Sequence, residues 1–295
     1  MTTPGSGSTV PRRQLGRKLR ELREARQLTM TEAIAALEWS KPRLWRYETG
    51  QVPIHPNDVG VMCQLYGADT ALTEALKELA RQSKSRGWWQ DYADIPEWFQ
   101  LFLGMESAAS RIRHFESEVI PGLVQSPAYA RAIIVAAALA GEPSPEVVDL
   151  RAAVRQKRQQ ILTRREPKAA HLEIILSEAA LLRGFSSQVM VDQLSNLLAL
   201  GERPNLSIRV MPLAAGLHKG FHGPFVILEF PRETSARDPE PTTIYQEHPT
   251  GSLYLDKPSE VGMYESIWND LDKRAADQID SRKLIGDIKE RWSRE

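Results

Sequence analysis

The chain has 295 residues, with 38 Lys+Arg, 38 Asp+Glu and one cysteine, Cys63. That length accommodates a small domain joined to a larger one. A single cysteine excludes an intrachain disulfide framework, and no apolar run approaches the roughly 18 residues of a membrane span. The zero net charge hides a segregation. Residues 1–90 hold 14 Lys+Arg against 9 Asp+Glu, a balance of +5, and the remainder holds 24 against 29, a balance of −5. A basic front and an acidic back predict two separate jobs.

Residues 1–10, MTTPGSGSTV, are small and polar, with no charged or apolar stretch of a signal peptide, so they read as a flexible arm of a cytoplasmic protein. From Pro11 the pattern turns helical. Leu15, Leu19 and Leu22 repeat at helical spacing while Arg12, Arg13, Arg17, Arg20 and Arg23 fill the other faces. Thr29 and Glu32 form a capping box at the head of an Ala-rich helix over 30–37. Ser40 is an N-cap for the next helix, with Pro42 in its first turn, Glu48 near its end and Gly50 as its stop. Two more helices follow, one over 56–66 ending at Gly67 and one over 70–84 presenting Leu72, Leu76 and Leu79.

Five short helices with a tight second-to-third connection outline a helix-turn-helix domain. In that geometry the helix over 41–48 turns Leu44 and Tyr47 inward. Lys41, Arg43, Trp45 and Arg46 fall towards the face that enters the major groove. Arginine and lysine suit guanine O6 and N7, and Arg12, Arg13, Arg17 and Arg43 are candidates for phosphate contact. The aromatic-dense stretch over 85–106 reads as a linker docking one domain on the other.

The rest alternates helix and strand. Ser126-Pro127 and Ser144-Pro145 open helices running to about 141 and 163, and a third spans 186–200. Strands are predicted at 171–176, 206–211, 225–230, 242–247 and 252–255, with two closing helices capped near Ser259 and Ser281. The fold class is therefore a five-helix, all-α helix-turn-helix domain at 11–67, a helical and aromatic-rich linker at 68–104, and a larger mixed α/β domain at 105–295.

Three features of the larger part carry candidate chemistry. The segment 151–168 holds seven basic residues and one acidic, with Val147, Leu150, Val154 and Ile161 as its apolar stripe. Its Arg151, Arg155, Lys157, Arg158, Arg164 and Arg165 form a solvated helix face, a docking surface for an acidic partner, or a second contact with the DNA backbone. The loop PLAAGLHKGFHGPF carries Gly216, Gly220 and Gly223; with Glu178 it lines a pocket or makes a tight hairpin connection. Glu178, Glu229 and Glu247 each lie beside a strand, yet no lysine or aspartate completes a nuclease set. His218 and His222 stand four apart in a glycine-rich loop, which does not suit a metal. There is no Gly-rich phosphate loop. Neither metal, cofactor nor catalytic residue is assigned, and the chain is not read as an enzyme.

The stretch LTMTEAIAALEWSKPRLWRYETGQ resembles the Cro/C1-type (xenobiotic-response-element) helix-turn-helix over residues 14–67. The resemblance implies base-facing positions at Lys41, Pro42, Trp45 and Arg46, phosphate-facing positions at Met30, Ser40 and Arg43, and a buried helix-steadying carboxylate at Glu48. Glu38 stands where the family has a turn glycine, and Trp45 where it has a small or polar residue, so a thymine methyl is an alternative target there. ESAASRIRHFESEVIPGLVQSPAYARA, ILSEAALLRG, IRVMPLAAGLHKGFHGPFVILEF and IYQE resemble a C-terminal domain of uncharacterised function found in actinobacterial regulators, over about 88–292. That likeness implies a developmental or antibiotic-linked regulator with a small, acidic-leaning co-encoded partner. The expected function is sequence-specific DNA binding by a homodimer with two recognition helices about 34 Å apart, and a C-terminal domain that dimerises and senses an effector or partner. The alternatives are an antitoxin-like or scaffold protein holding the small partner through 151–168, and a DNA-targeted metal-dependent enzyme.

Overall fold

The computed structural model describes residues 9–83, 95, 97–138, 141–231, 240–249 and 251–294. Most of the N-terminal arm, and the tryptophan pair at 88–89, lie outside them. The chain divides into two compact units, Met1–Ala108 and Ala109–Glu295.

The first unit is all-helical: α1 (Val10–Ala25), α2 (Met30–Leu37), α3 (Lys41–Glu48), α4 (Pro56–Tyr66), α5 (Thr70–Gln82) and α6 (Glu97–Ala108). The i, i+4 spacing of Leu15 and Leu19 buries both, with Ala33, Leu37, Leu44, Val59, Met62 and Leu76, in one core. The predicted capping box forms. Thr29 Oγ1 accepts from the Glu32 amide at 3.2 Å, and Glu32 Oε2 accepts from the Thr29 amide at 2.8 Å. Those bonds from Thr29, backbone first, hold the Glu32 carboxyl below the usual carboxylate range.

Glu38 takes up the left-handed turn at φ 56°, at a cost of about 1–2 kcal/mol relative to glycine. Its side chain points into solvent, so no clash adds to that cost. Gly67 ends α4 at φ 69°, as its sequence position predicts.

Two expectations about the linker are corrected. The boundary at 67 cuts through the bundle, because Leu76 and Ala80 of α5 lie in the same core as α1. The described part of the aromatic stretch is also a bundle element. Thr9 Oγ1 donates to the Leu101 carbonyl at 2.9 Å and Arg13 Nη1 to Met105 Sδ at 2.9 Å, so α6 lies along α1.

The second unit is built on a six-stranded mixed sheet of order β3-β2-β1-β4-β5-β6. The strands are β1 (Arg111–Glu116), β2 (His171–Ser177), β3 (Leu206–Met211), β4 (Phe225–Glu229), β5 (Thr243–His248) and β6 (Gly251–Leu255). The first three run parallel and the last three pair antiparallel. Five of these strands were predicted; β1, which pairs with both β2 and β4, was not. RIRHFE lacks apolar alternation, and its charges are neutralised only in the folded sheet. Arg111 Nε donates to Glu173 at 2.6 Å, and Arg113 Nη2 reaches Glu229 at 2.9 Å. Arg113 Nη1 also donates to Glu265 at 2.6 Å.

The helices here are α7 (Pro127–Ala136), α8 (Pro145–Arg158), α9 (Glu178–Leu182), α10 (Ser187–Leu200), α11 (Pro258–Arg274) and α12 (Gln278–Trp292). A 3-10 turn, Gln159–Leu162, extends α8. On one sheet face Phe115, Ile175, Phe225, Ile227 and Ile244 pack with Trp268 and Leu271 of α11. The N-cap of α11 is Lys257, two residues before Ser259, and that of α12 is Asp277, four residues before Ser281. Ser281 is buried instead, where its Oγ accepts from the Val210 amide at 2.9 Å and ties α12 to β3. The loop after β1 is stitched by amide side chains. Gln193 of α10 accepts from the Ser126 amide at 2.6 Å and donates to the Val124 carbonyl at 2.9 Å, and Gln159 donates to the Gln125 carbonyl at 2.8 Å.

Candidate nucleic-acid interface

Helix α3 presents two contrasting sides. Leu44 and Glu48 are buried, four residues apart, while Lys41, Pro42, Trp45 and Arg46 are exposed, Trp45 by 47%. The four predicted base-facing residues thus share the solvent side of one two-turn helix. Arg46 Nε donates to the Pro42 carbonyl at 3.3 Å.

What fixes this helix is a buried ion pair. Arg23 of α1 donates through Nε to Glu48 Oε1 at 2.7 Å and through Nη2 to Oε2 at 2.8 Å, and its Nη1 reaches the Leu28 carbonyl at 2.7 Å. The two side chains are 8% and 2% exposed. The bond to Glu48 is the chief cause of the raised Arg23 pKa. Glu48 is therefore the buried carboxylate that the resemblance implied, and its partner is one of the arginines read as merely filling a helix face.

A second brace stands at the other side of the helix. The Arg43 guanidinium lies 4.1 Å from the Trp39 ring centroid and donates to Asp58 Oδ2 at 2.9 Å. Tyr47 donates to the same oxygen at 2.9 Å. Arg43 retains 40% side-chain exposure, so it is a positioned cation at the helix edge. Sequence reasoning missed Gly16. A Cβ there would lie 2.4 Å from the Tyr47 carbonyl oxygen and 2.8 Å from that of Glu48. The signal was present, since a lone glycine in an otherwise strong helix weakens it without a packing reason.

Of the other predicted phosphate contacts, Ser40 is exposed and its side chain makes no capping bond. Met30 packs its side chain on the core, leaving its amide in the first turn of α2. Arg17 is half-buried. Arg12 and Arg13 are corrected: they are 8% and 7% exposed and face into the protein. For Arg13 the reason is α6, which gives it its Met105 partner.

Two family profiles match the chain. One, described as a helix-turn-helix domain, covers residues 14–76. The other, described as a domain of unknown function, DUF5753, covers residues 99–287. The chain belongs to the DUF5753 family. No curated protein and no solved structure matches it. The helix-turn-helix domain ahead of the DUF5753 region supports DNA binding and a regulatory role. No helix among the described residues is long and apolar enough to cross a membrane.

Several residues singled out in the DUF5753 region make contacts within the fold. Glu178 starts α9 and accepts from the Leu213 amide at 2.8 Å, which ties down the glycine loop. Gly220 is buried, with the Phe115 ring 2.7 Å from where its Cβ would stand, and Gly216 and Gly223 turn the loop at positive φ. The cavity beside this loop is lined by Lys219 and by α11, including Gly262, Glu265 and Asp270; Glu178, Gly216, Gly220 and Gly223 are absent from its walls. The loop is not a hairpin connection, because it carries the chain from β3 at the sheet edge past β2 and β1 to β4.

Glu178, Glu229 and Glu247 do not converge. Glu229 faces Arg111 and Arg113, and Glu247 accepts from the Tyr245 hydroxyl at 3.1 Å. Among the described residues, no group of three His, Cys, Asp or Glu side chains could hold a metal ion.

The basic segment is likewise divided. Arg151 and Arg165 are exposed, while Arg155, Lys157, Arg158 and Arg164 are half-buried. Arg164 donates to the Lys168 and Ala109 carbonyls, each at 3.3 Å, so it secures its own loop rather than facing a partner.

Proposed function

We propose that this DUF5753 protein is a cytoplasmic, sequence-specific transcriptional regulator of Cro/C1 type. It lays α3 in the major groove and acts as a homodimer whose C-terminal domain pairs the subunits and answers to an effector or partner. The observation carrying this reading is the exposed quartet Lys41, Pro42, Trp45 and Arg46 on a helix pinned from behind by Arg23 and Glu48. A positioned helix with guanidinium and ammonium groups outward is what base-edge recognition requires. Arg17, Ser40 and the Met30 amide supply phosphate contacts, and Arg43 adds a fixed cation. The chain acts by binding, with no catalytic step.

Arg46→Ala is expected to cost about 1–3 kcal/mol on the cognate site and to relax specificity, while Arg17→Ala weakens all sequences alike and flattens the salt slope by about one. Recovery of bound genomic DNA with the wild type and with the Lys41/Arg46 double alanine variant tests the first, and a salt titration of Arg17→Ala on cognate and random DNA tests the second. Enrichment of the same motif by both proteins would remove the base-reading role from this helix.

A further inference from the structure

An aspartate is built into the flank of the helix that carries the exposed quartet. Asp58, in the first turn of α4, accepts through Oδ2 from Arg43 Nη2 at 2.9 Å and from the Tyr47 hydroxyl at 2.9 Å. Trp39, Arg43 and Tyr47 stand four residues apart, so their side chains follow one another along one edge of α3 and its entry turn. The Arg43 guanidinium lies 4.1 Å from the Trp39 ring centroid and 5.5 Å from that of Tyr47. The two rings themselves meet edge to face at 5.5 Å. Two aromatic rings and one carboxylate thus hold a single guanidinium. The bond to Asp58 uses one N–H of a group that has several, and 40% of the Arg43 side chain stays open to solvent.

Charge alone gives the opposite expectation for this position. A carboxylate beside a phosphate-facing edge repels the duplex and cancels part of the Arg43 charge. Without it, Arg43 would bring its full charge on a long flexible stem, which must be immobilised at the moment of binding. Held between rings and carboxylate, the same side chain has lost that freedom beforehand. At physiological salt the repulsion is screened beyond about 8 Å, whereas the cost of ordering a side chain is not. Preorganisation is therefore the larger effect.

We propose that Asp58 is a positioning residue for DNA binding, acting through Arg43, which it aims at a phosphate beside the groove that α3 enters. This rests on the DNA-binding reading of α3 and adds to it a residue of the wrong charge for any phosphate contact of its own.

The test is a double-mutant cycle on the full chain. Affinity is measured for a genomic fragment recovered with the wild type and for a random duplex of equal length, where every variant is folded. Asp58→Asn removes the charge and keeps the size. It is expected to weaken binding to both duplexes by roughly three- to fivefold per subunit, the range of an ion pair at a partly exposed site. The loss comes although a negative charge has left the interface. In an Arg43→Met background the same substitution is expected to leave binding unchanged or to strengthen it, because only the repulsion remains to be removed. A merely structural tie between α3 and α4 would not give that reversal.

Stronger binding by Asp58→Asn with Arg43 present would make the carboxylate a plain electrostatic cost and overturn the proposal. So would an equal loss in both backgrounds, which belongs to helix spacing rather than to Arg43. Should Asp58→Asn not fold, Asp58→Glu decides: a loss that requires Arg43 supports the positioning role, and unchanged binding overturns it. A wild type that binds neither duplex is the failure of the DNA-binding reading, and it takes the proposal with it. That outcome is distinct from the others, in which the wild type binds and the variants are compared with it.

Discussion

Glu48→Ala is expected to destabilise the helical unit by about 3–5 kcal/mol, enough to unfold it well below the melting point of the rest. The magnitude follows from what remains. Arg23, with a side chain 8% exposed, would keep its charge but lose both bonds at 2.7 and 2.8 Å. An unpaired guanidinium inside a helical core costs far more than a surface ion pair contributes. The matching control is Glu21→Ala. Glu21 meets Lys18 at 3.1 Å with side chains 53% and 39% exposed, and its loss is expected to shift stability by less than 1 kcal/mol. Urea unfolding followed by far-ultraviolet circular dichroism reads both. Similar midpoints for the two variants would show that the buried pair does not hold the recognition helix.

Gly16→Ala is expected to weaken DNA binding more than it weakens folding. The new methyl would meet the Tyr47 carbonyl oxygen at 2.4 Å and the Glu48 carbonyl oxygen at 2.8 Å. Both are backbone atoms of α3, so no rotamer change relieves the overlap, and the helices must part by about an ångström to reach contact distance. Such overpacking costs about 1–3 kcal/mol, and it moves the reading helix relative to the rest of the domain. Affinity for the recovered site, measured where the variant is fully folded, is expected to fall at least tenfold. Gly262→Ala supplies the contrast, since nothing lies within 4 Å of its notional Cβ. There the alanine is expected to be neutral or to stabilise α11 by up to about 1 kcal/mol. Unchanged affinity in Gly16→Ala would mean that the α1–α3 spacing does not govern docking.

The parts of this protein written in local chemistry were readable in advance. Thr29 and Glu32 stand three apart because a capping box requires it, Gly67 ends a helix, and Leu15 and Leu19 mark a buried stripe. The resemblance placed Glu38 where a turn glycine is usual, and the structure shows that turn to be left-handed. What escaped depends on segments distant in sequence. Arg13 looks like a solvent-facing cation until α6 returns to meet it. RIRHFE looks too charged for an inner strand until Glu173, Glu229 and Glu265 are brought beside it. The segment around Arg155 reads as one basic surface, because composition does not tell which arginine is exposed and which secures its own loop. Periodicity reports what an element does alone, and each of these residues is defined by what another element brings to it.

The central place of β1 sets an order on how the second unit comes together. Arg111 reaches Glu173 across 62 residues of chain and Glu229 across 118. During synthesis, therefore, the inner strand leaves the ribosome long before either neighbour exists, and loop closure over such spans is slow. The helical unit waits less for its recognition helix, since the Arg23–Glu48 clasp spans 25 residues. Its longest-range contacts, from α1 to α6, close before β2 is made. It can be complete and competent for duplex contact while its companion is still an open chain. The charges on RIRHFE then gain a further use: they keep a waiting strand in water, and away from other waiting strands, until its partners arrive.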